Sequence, residues 1–170
     1  MTFLIALHPF EVLQAVNEAG EDNMLLWNIV IDGPMDTPYE GGKFRCKLTF
    51  PKEFPYQAPK FEFTTQIFHP NLPKNFCVVR LHLPTSLLHL HFYNPTFSSS
   101  PQDLIGLGKT WKSTTYVQEI IGNVIQLMRE PALESAFDRS IEAFHLYQSN
   151  RAAFTERART ATLEYAKADA

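Results

Sequence analysis

Between Phe50 and Leu81 the chain reads FPKEFPYQAPKFEFTTQIFHPNLPKNFCVVRL, a run that holds five prolines, the triplet His69-Pro70-Asn71 and then Cys77. Three kinds of chemistry could use these residues. A cysteine thiolate is a nucleophile and a metal ligand. The carboxamide of Asn71 and the imidazole of His69 can each both donate and accept hydrogen bonds. Plainer uses compete with these. His-Pro-Asn alone is a common turn, and a cysteine between Phe76 and Val78 suits a small buried hydrophobe. A third chemistry is metal binding, because Cys77 with His82, His89 and His91 offers the thiolate and imidazole that zinc prefers. That spacing matches no familiar finger, and His89 and His91 share a face only if their segment is extended.

The elements that must position these residues belong to one domain, which is what 170 residues and a hydrophobic content of 45% lead one to expect. A net charge of -3 gives no electrostatic footprint for a phosphate backbone, so no nucleic-acid partner is expected. Cys46 and Cys77 are the only cysteines. That makes a disulfide framework improbable and suits a reducing compartment, hence a cytoplasmic or nuclear location. The opening MTFLIALHPF is apolar but short, lacks a basic flank and meets Pro9, and no later run of about 18 apolar residues suggests a membrane span.

Glu11 to Gly20, EVLQAVNEAG, carries Val12, Leu13, Val16 and Ala19 on one stripe, which predicts a short amphipathic helix ended by Gly20. Three strand-like runs follow: MLLWNIVI, KFRCKLTF and KFEFTT. Gly33-Pro34, Gly41-Gly42 and the prolines at 51, 55 and 59 separate them. Short links between consecutive strands make an antiparallel meander. Alternation along KFRCKLTF fixes the face of Cys46, whose expected role is a buried hydrophobe. YVQEIIGNVIQLMR, residues 116 to 129, has an apolar stripe wide enough to cover a sheet, and Pro131 stops it. One or two further helices follow, with Ile141, Phe144, Tyr147, Phe154 and Ala158 on their inner faces. Strands followed by helices give an α+β domain. Between the zones, Phe63 to Gln102 contains no acidic residue and four of the six histidines.

With these parts assembled, the chain resembles the ubiquitin-conjugating enzyme family. The resemblance runs almost without a gap from Leu25 to Leu72, through Trp27, Gly33-Pro34, the turn Thr37-Pro38-Tyr39-Glu40-Gly41-Gly42, Phe50-Pro51, Pro55, Pro59 and His69-Pro70-Asn71. It resumes at TWKSTTYVQEIIGNVIQLMREP and YQSNRAAFTERARTATLEYA. It implies a four-stranded antiparallel meander with a short N-terminal helix, a central helix packed on the sheet and C-terminal helices. It also implies that the prolines stiffen the connection into the active-site loop, and that a cysteine accepts ubiquitin, or a ubiquitin-like modifier, as a thioester and passes it to a lysine amine. Carried onto this chain, the nucleophile is Cys77, the oxyanion helper or loop brace is Asn71, and His69 fixes the turn. Tyr56 stands where the family shows an exposed aromatic that docks a ubiquitin ligase; packing on Pro55 and Pro59 is the other reading. Trp111 is expected as a core anchor. Ser135, with Glu134 beside it, falls at the gate position opposite the cysteine. The implied partners are the modifier, the ubiquitin-activating enzyme and a ligase. No cofactor is implied, since ATP is used by the upstream activating enzyme.

The chain also departs from this pattern. HPNLPKNFCVVRL lacks the family's glycine before the cysteine, and 33 residues separate Cys77 from Trp111. Residues 73 to 102 thus read as an atypical insertion, with Arg80 the only charge between Val78 and Gln102. Counting back from Trp111 through DLIGLGKTW puts Leu104 and Leu107 at core positions and Asp103 at the nucleophile position. A carboxylate there cannot carry a thioester. The alternative expectation is therefore a catalytically inactive variant of the same fold that serves as a binding or adaptor module.

Overall fold

Strict alternation between buried and exposed side chains marks the middle of the sheet. In Lys43–Thr49 (β3), Phe44, Cys46 and Leu48 point inward, while Lys43, Arg45, Lys47 and Thr49 are exposed. A computed structural model describes residues 10–16, 22–72, 105, 107, 111–135 and 141–167. Its sheet has the order β1-β2-β3-β4, from Phe10–Val16 (β1), Asp22–Asp32 (β2), β3 and Lys60–Phe63 (β4). All three pairings are antiparallel. Cys46 lies opposite Ile29 on one side and Phe63 on the other, so its thiol points into the core as its place in the alternation requires.

The segment from Glu11 onward is a correction. Residues 10–16 form the edge strand β1, with Phe10 opposite Ile31 and Val12 opposite Ile29, where the apolar stripe had suggested a helix. Hydrogen bonding to β2 overrides a stripe of this length, because an isolated turn or two of helix is marginal in water. Residues 17–21, with Gly20, and the opening nine residues lie outside the described set.

Helix α1, Val117–Arg129, begins after Tyr116 and ends two residues before Pro131. Its Ile120, Ile121, Val124, Leu127 and Met128 join Ile29, Phe44, Leu48 and Phe61 of the sheet in one core. Fully burying such a side chain contributes roughly 1.5–3 kcal/mol. The C-terminal part is two helices, α2 (Glu142–Ser149) and α3 (Arg151–Tyr165). Asn150 separates them and caps α3, its side-chain oxygen accepting from Ala153 N at 3.0 Å. Phe144, Tyr147, Phe154 and Ala158 are buried as their spacing predicts, and Ile141 is half-buried. The architecture is an α+β meander with helices on its inner face.

The β2–β3 connection is built around Tyr39. Gly33 N donates to Gly42 O at 2.8 Å, and Gly42 N donates to Tyr39 O at 3.1 Å. A Cβ on Gly33 would stand 1.7 Å from Tyr39 O, so the close backbone approach requires glycine there. Gly41 takes φ +79°, the left-handed region that glycine enters without steric cost. At the other end, Lys43 N donates to Ala166 O at 2.8 Å, tying the start of β3 to the end of the C-terminal helix.

Candidate active site

Past β4 the chain does not continue the sheet ladder. Thr64 N and Thr65 N both donate to Arg45 O, and Thr65 Oγ1 accepts from Arg45 N. This ends strand pairing two residues earlier than the apolar run suggests and turns the chain into the segment 66–72. Ile67 and Leu72 then sink into the core, with His69, Pro70 and Asn71 buried between them.

His69 faces two partners. Its Nδ1 accepts from Asn71 N at 3.0 Å, which assigns the ring proton to Nε2; that nitrogen donates to Leu127 O on α1 at 2.9 Å. The neutral tautomer suits the site. Burial lowers the pKa from 6.5 to about 3, against a smaller upward pull from the Leu127 carbonyl. The imidazole is thus a neutral pin between the turn and the helix.

Asn71 closes the other side. Its Nδ2 donates to Ala132 O and its Oδ1 accepts from Ala132 N, both at 2.9 Å. Each end of the carboxamide therefore meets the backbone just beyond α1. A primary amide has two donor hydrogens, so bracing uses one and the oxyanion role would rest on the second. Ala132 is followed by the 3-10 turn Leu133–Ser135, which places Ser135 and the exposed Glu134 on the segment that Asn71 grips.

Tyr39 reaches the same segment from the β2–β3 loop, its hydroxyl donating to Phe68 O at 2.9 Å. The sequence singled out neither this tyrosine nor the carbonyls of Leu127 and Ala132, because their partners lie from 29 to 61 residues away. The only local sign was the Thr37–Gly42 turn that carries Tyr39.

A second surface lies at the proline-rich corner. Phe54 N donates to Pro51 O, and Tyr56 N and Gln57 N both donate to Glu53 O, so the backbone is held in a turn. Tyr56 is 88% exposed, which decides against its packing on Pro55 and Pro59. Trp111 is half-buried and donates from Nε1 to Pro55 O at 3.0 Å. Its ring continues an aromatic row through Phe54 and Phe50 to Trp27, with neighbouring centroids 4.9–6.2 Å apart. Expected as a core anchor, Trp111 instead packs against the core half-buried.

Cys77 lies outside the described residues, as do His82, His89, His91, Asp103, Leu104 and the whole 73–102 stretch. Cys46 is described and takes no part in this site. Burial pushes its thiol well above the usual range, away from the nucleophilic thiolate. Among the described residues, no three His, Cys, Asp or Glu side chains could together hold a metal ion. Nor is any described helix long and apolar enough to cross a membrane.

A sequence profile described as ubiquitin-conjugating enzyme matches residues 6–162. The chain belongs to the ubiquitin-conjugating enzyme family. A "Ubiquitin-conjugating enzyme E2" of African swine fever virus (isolate Pig/Kenya/KEN-50/1950) is 32% identical over 118 residues, covering 68% of this chain and 46% of that protein. A "Ubiquitin-conjugating enzyme E2 2" of Candida albicans is 30% identical over 138 residues, covering 81% of this chain and 63% of that protein. The chain thus spans less than two thirds of the length of these two relatives.

Proposed function

We propose that this member of the ubiquitin-conjugating enzyme family accepts ubiquitin, or a ubiquitin-like modifier, on Cys77 and transfers it to a lysine amine. The Cys77 thiolate attacks the thioester carbonyl carbon presented by the activating enzyme, forming a new C–S bond as the old one breaks. A lysine amine then attacks the same carbon, loses a proton and expels the Cys77 thiolate. ATP enters only upstream, at the activating enzyme. The observation that carries this reading is the pinned turn at His69 and Asn71, which holds the chain in place up to the buried Leu72, five positions before Cys77 in the sequence. The other cysteine is unsuited, since Cys46 is buried and its thiol is held protonated. Ser135 is the gate candidate through its place on the segment braced by Asn71, and Tyr56 offers a ligase an exposed ring on a held backbone.

One observation favours a second reading, a catalytically inactive binding module. Ile105 and Leu107 are buried, and Asn123 on α1 donates from Nδ2 to Ile105 O at 3.3 Å. Ile105 is thereby tied to the central helix, and the residue two places before it is Asp103. If that register marks the family's nucleophile position, a carboxylate occupies it.

Incubation with activating enzyme, ATP and ubiquitin separates the two readings. Conjugation predicts an adduct that reductant cleaves, lost in Cys77→Ala, kept in Cys46→Ala and converted to a longer-lived ester in Cys77→Ser. Absence of any adduct with ubiquitin or its relatives would leave the binding module.

A further inference from the structure

The phenol of Tyr39 is more tightly held than a core aromatic needs to be. Thr37 Oγ1 donates to Pro34 O at 2.6 Å and accepts from Tyr39 N at 3.2 Å, while Glu40 N donates to Thr37 O at 3.2 Å. Gly42 N fixes the Tyr39 carbonyl, which itself crowds Gly33. The ring, 1% exposed, lies edge-on to Phe44 and tilted against His69, each centroid 5.9 Å away. Its hydroxyl ends on Phe68 O.

The choice of acceptor matters. Phe68 O belongs to the peptide that joins Phe68 to His69, and a carbonyl held at one place fixes the plane of that peptide. The plane sets the direction from which His69 enters the turn. Downstream, His69 must meet Leu127 O and Asn71 N at once, and Asn71 must meet both polar groups of Ala132. Five hydrogen bonds thus link the β2–β3 loop to α1 and the backbone beyond it. Tyr39 makes the first of them, and its hydroxyl is the polar group that brings the loop to this segment.

We infer that Tyr39 is a positioning residue for the active-site turn: its hydroxyl, donated to Phe68 O, sets the peptide that leads into His69 and thereby the pose of the Asn71 carboxamide. The link to catalysis rests on the conjugation reading; the link to the Asn71 pose does not.

Tyr39→Phe removes the hydroxyl and keeps the ring. In the full chain labelled with 15N, the Asn71 side-chain amide should exchange with water about three- to tenfold faster than in the wild type, the scale of one lost hydrogen bond. Charging and discharge of the thioester to free lysine should both slow by a similar factor. Ile29→Val, a trimmed methylene in β2 of comparable stability cost, should leave Asn71 exchange unchanged. Unaltered exchange in Tyr39→Phe, or equal acceleration in Ile29→Val, would overturn the inference. If Tyr39→Phe does not fold, Thr37→Val, which frees the Tyr39 backbone, takes its place with the same two outcomes. A chain that never charges would count against conjugation alone, since the exchange measurement needs no thioester.

Discussion

The turn at His69–Asn71 and the corner at Pro55–Tyr56 lie on one proline-rich stretch, yet they use their side chains in opposite ways. In the turn, the imidazole and the carboxamide are buried and their bonds run to backbone groups of α1 and the segment beyond it. At the corner the backbone is bonded and the Tyr56 ring stands in water. A side chain occupied by internal partners holds structure, whereas one presented on a held backbone is available to another molecule. The same proline-rich sequence therefore supplies a brace and a display surface, and substitutions should separate them.

The largest effect is expected at Asn71. Asn71→Ala leaves both the Ala132 N–H and C=O without their side-chain partner in a part-buried place, and each such loss costs about 1–3 kcal/mol. Because the place is only part-buried, the low end applies, and urea unfolding should show a fall of about 2–3 kcal/mol, with charging and discharge declining together. A discharge rate lower by roughly a hundredfold with stability intact would make Asn71 an oxyanion donor first, and the brace would fail as its main role.

His69 gives a pH-dependent effect of intermediate size. The ordinary imidazole pKa is 6.5 and the folded value about 3, so between these limits the unfolded chain binds a proton that the native chain refuses. Stability from this group is fully present above pH 6.5 and is lost as pH falls towards 3, at up to about 1.4 kcal/mol per pH unit. His69→Gln should be less stable at neutral pH but should lose that part of the acid slope. The difference between the two proteins' urea midpoints from pH 7 to pH 4.5 measures it. Parallel slopes would mean that the imidazole is not the neutral pin.

The sheet and α1 were legible because their periods are unambiguous. Phe44, Cys46 and Leu48 alternate on β3, and Ile120, Ile121, Val124, Leu127 and Met128 recur at helical spacing on α1. Glu11–Val16 carried no such signal. Val12 is 45% and Leu13 43% exposed, so neither face of the edge strand is selected strongly enough to reveal a period of two. The site shows a similar division. Its residue types were readable from His69-Pro70-Asn71, but the partners of those side chains, Leu127 and Ala132, are 58 and 61 residues away. Nothing in local spacing records such pairs. Tyr56 had two readings because the sequence Phe54-Pro55-Tyr56 permits both a packed and a projecting ring, and the turn bonds to Glu53 O decide for projection.

Tyr56 should give the smallest stability effect and the sharpest test of the contrast. A ring that is 88% exposed buries little area and holds no neighbour in place. Tyr56→Ala should therefore stay within about 0.5 kcal/mol of the wild type by urea unfolding, the range usual for surface substitutions. The turn bonds that hold its backbone run from main-chain N–H groups to the Glu53 carbonyl, and alanine keeps them. Any larger consequence must then come from an external partner, because exposed aromatics on a fixed backbone are typical anchors of an interface. The expected pattern is unchanged charging and unchanged unassisted discharge, with a reduced gain in discharge when a ligase is added. A stability loss above about 1 kcal/mol would place the ring among the packed residues of the corner, and the distinction between brace and display would no longer hold at Tyr56.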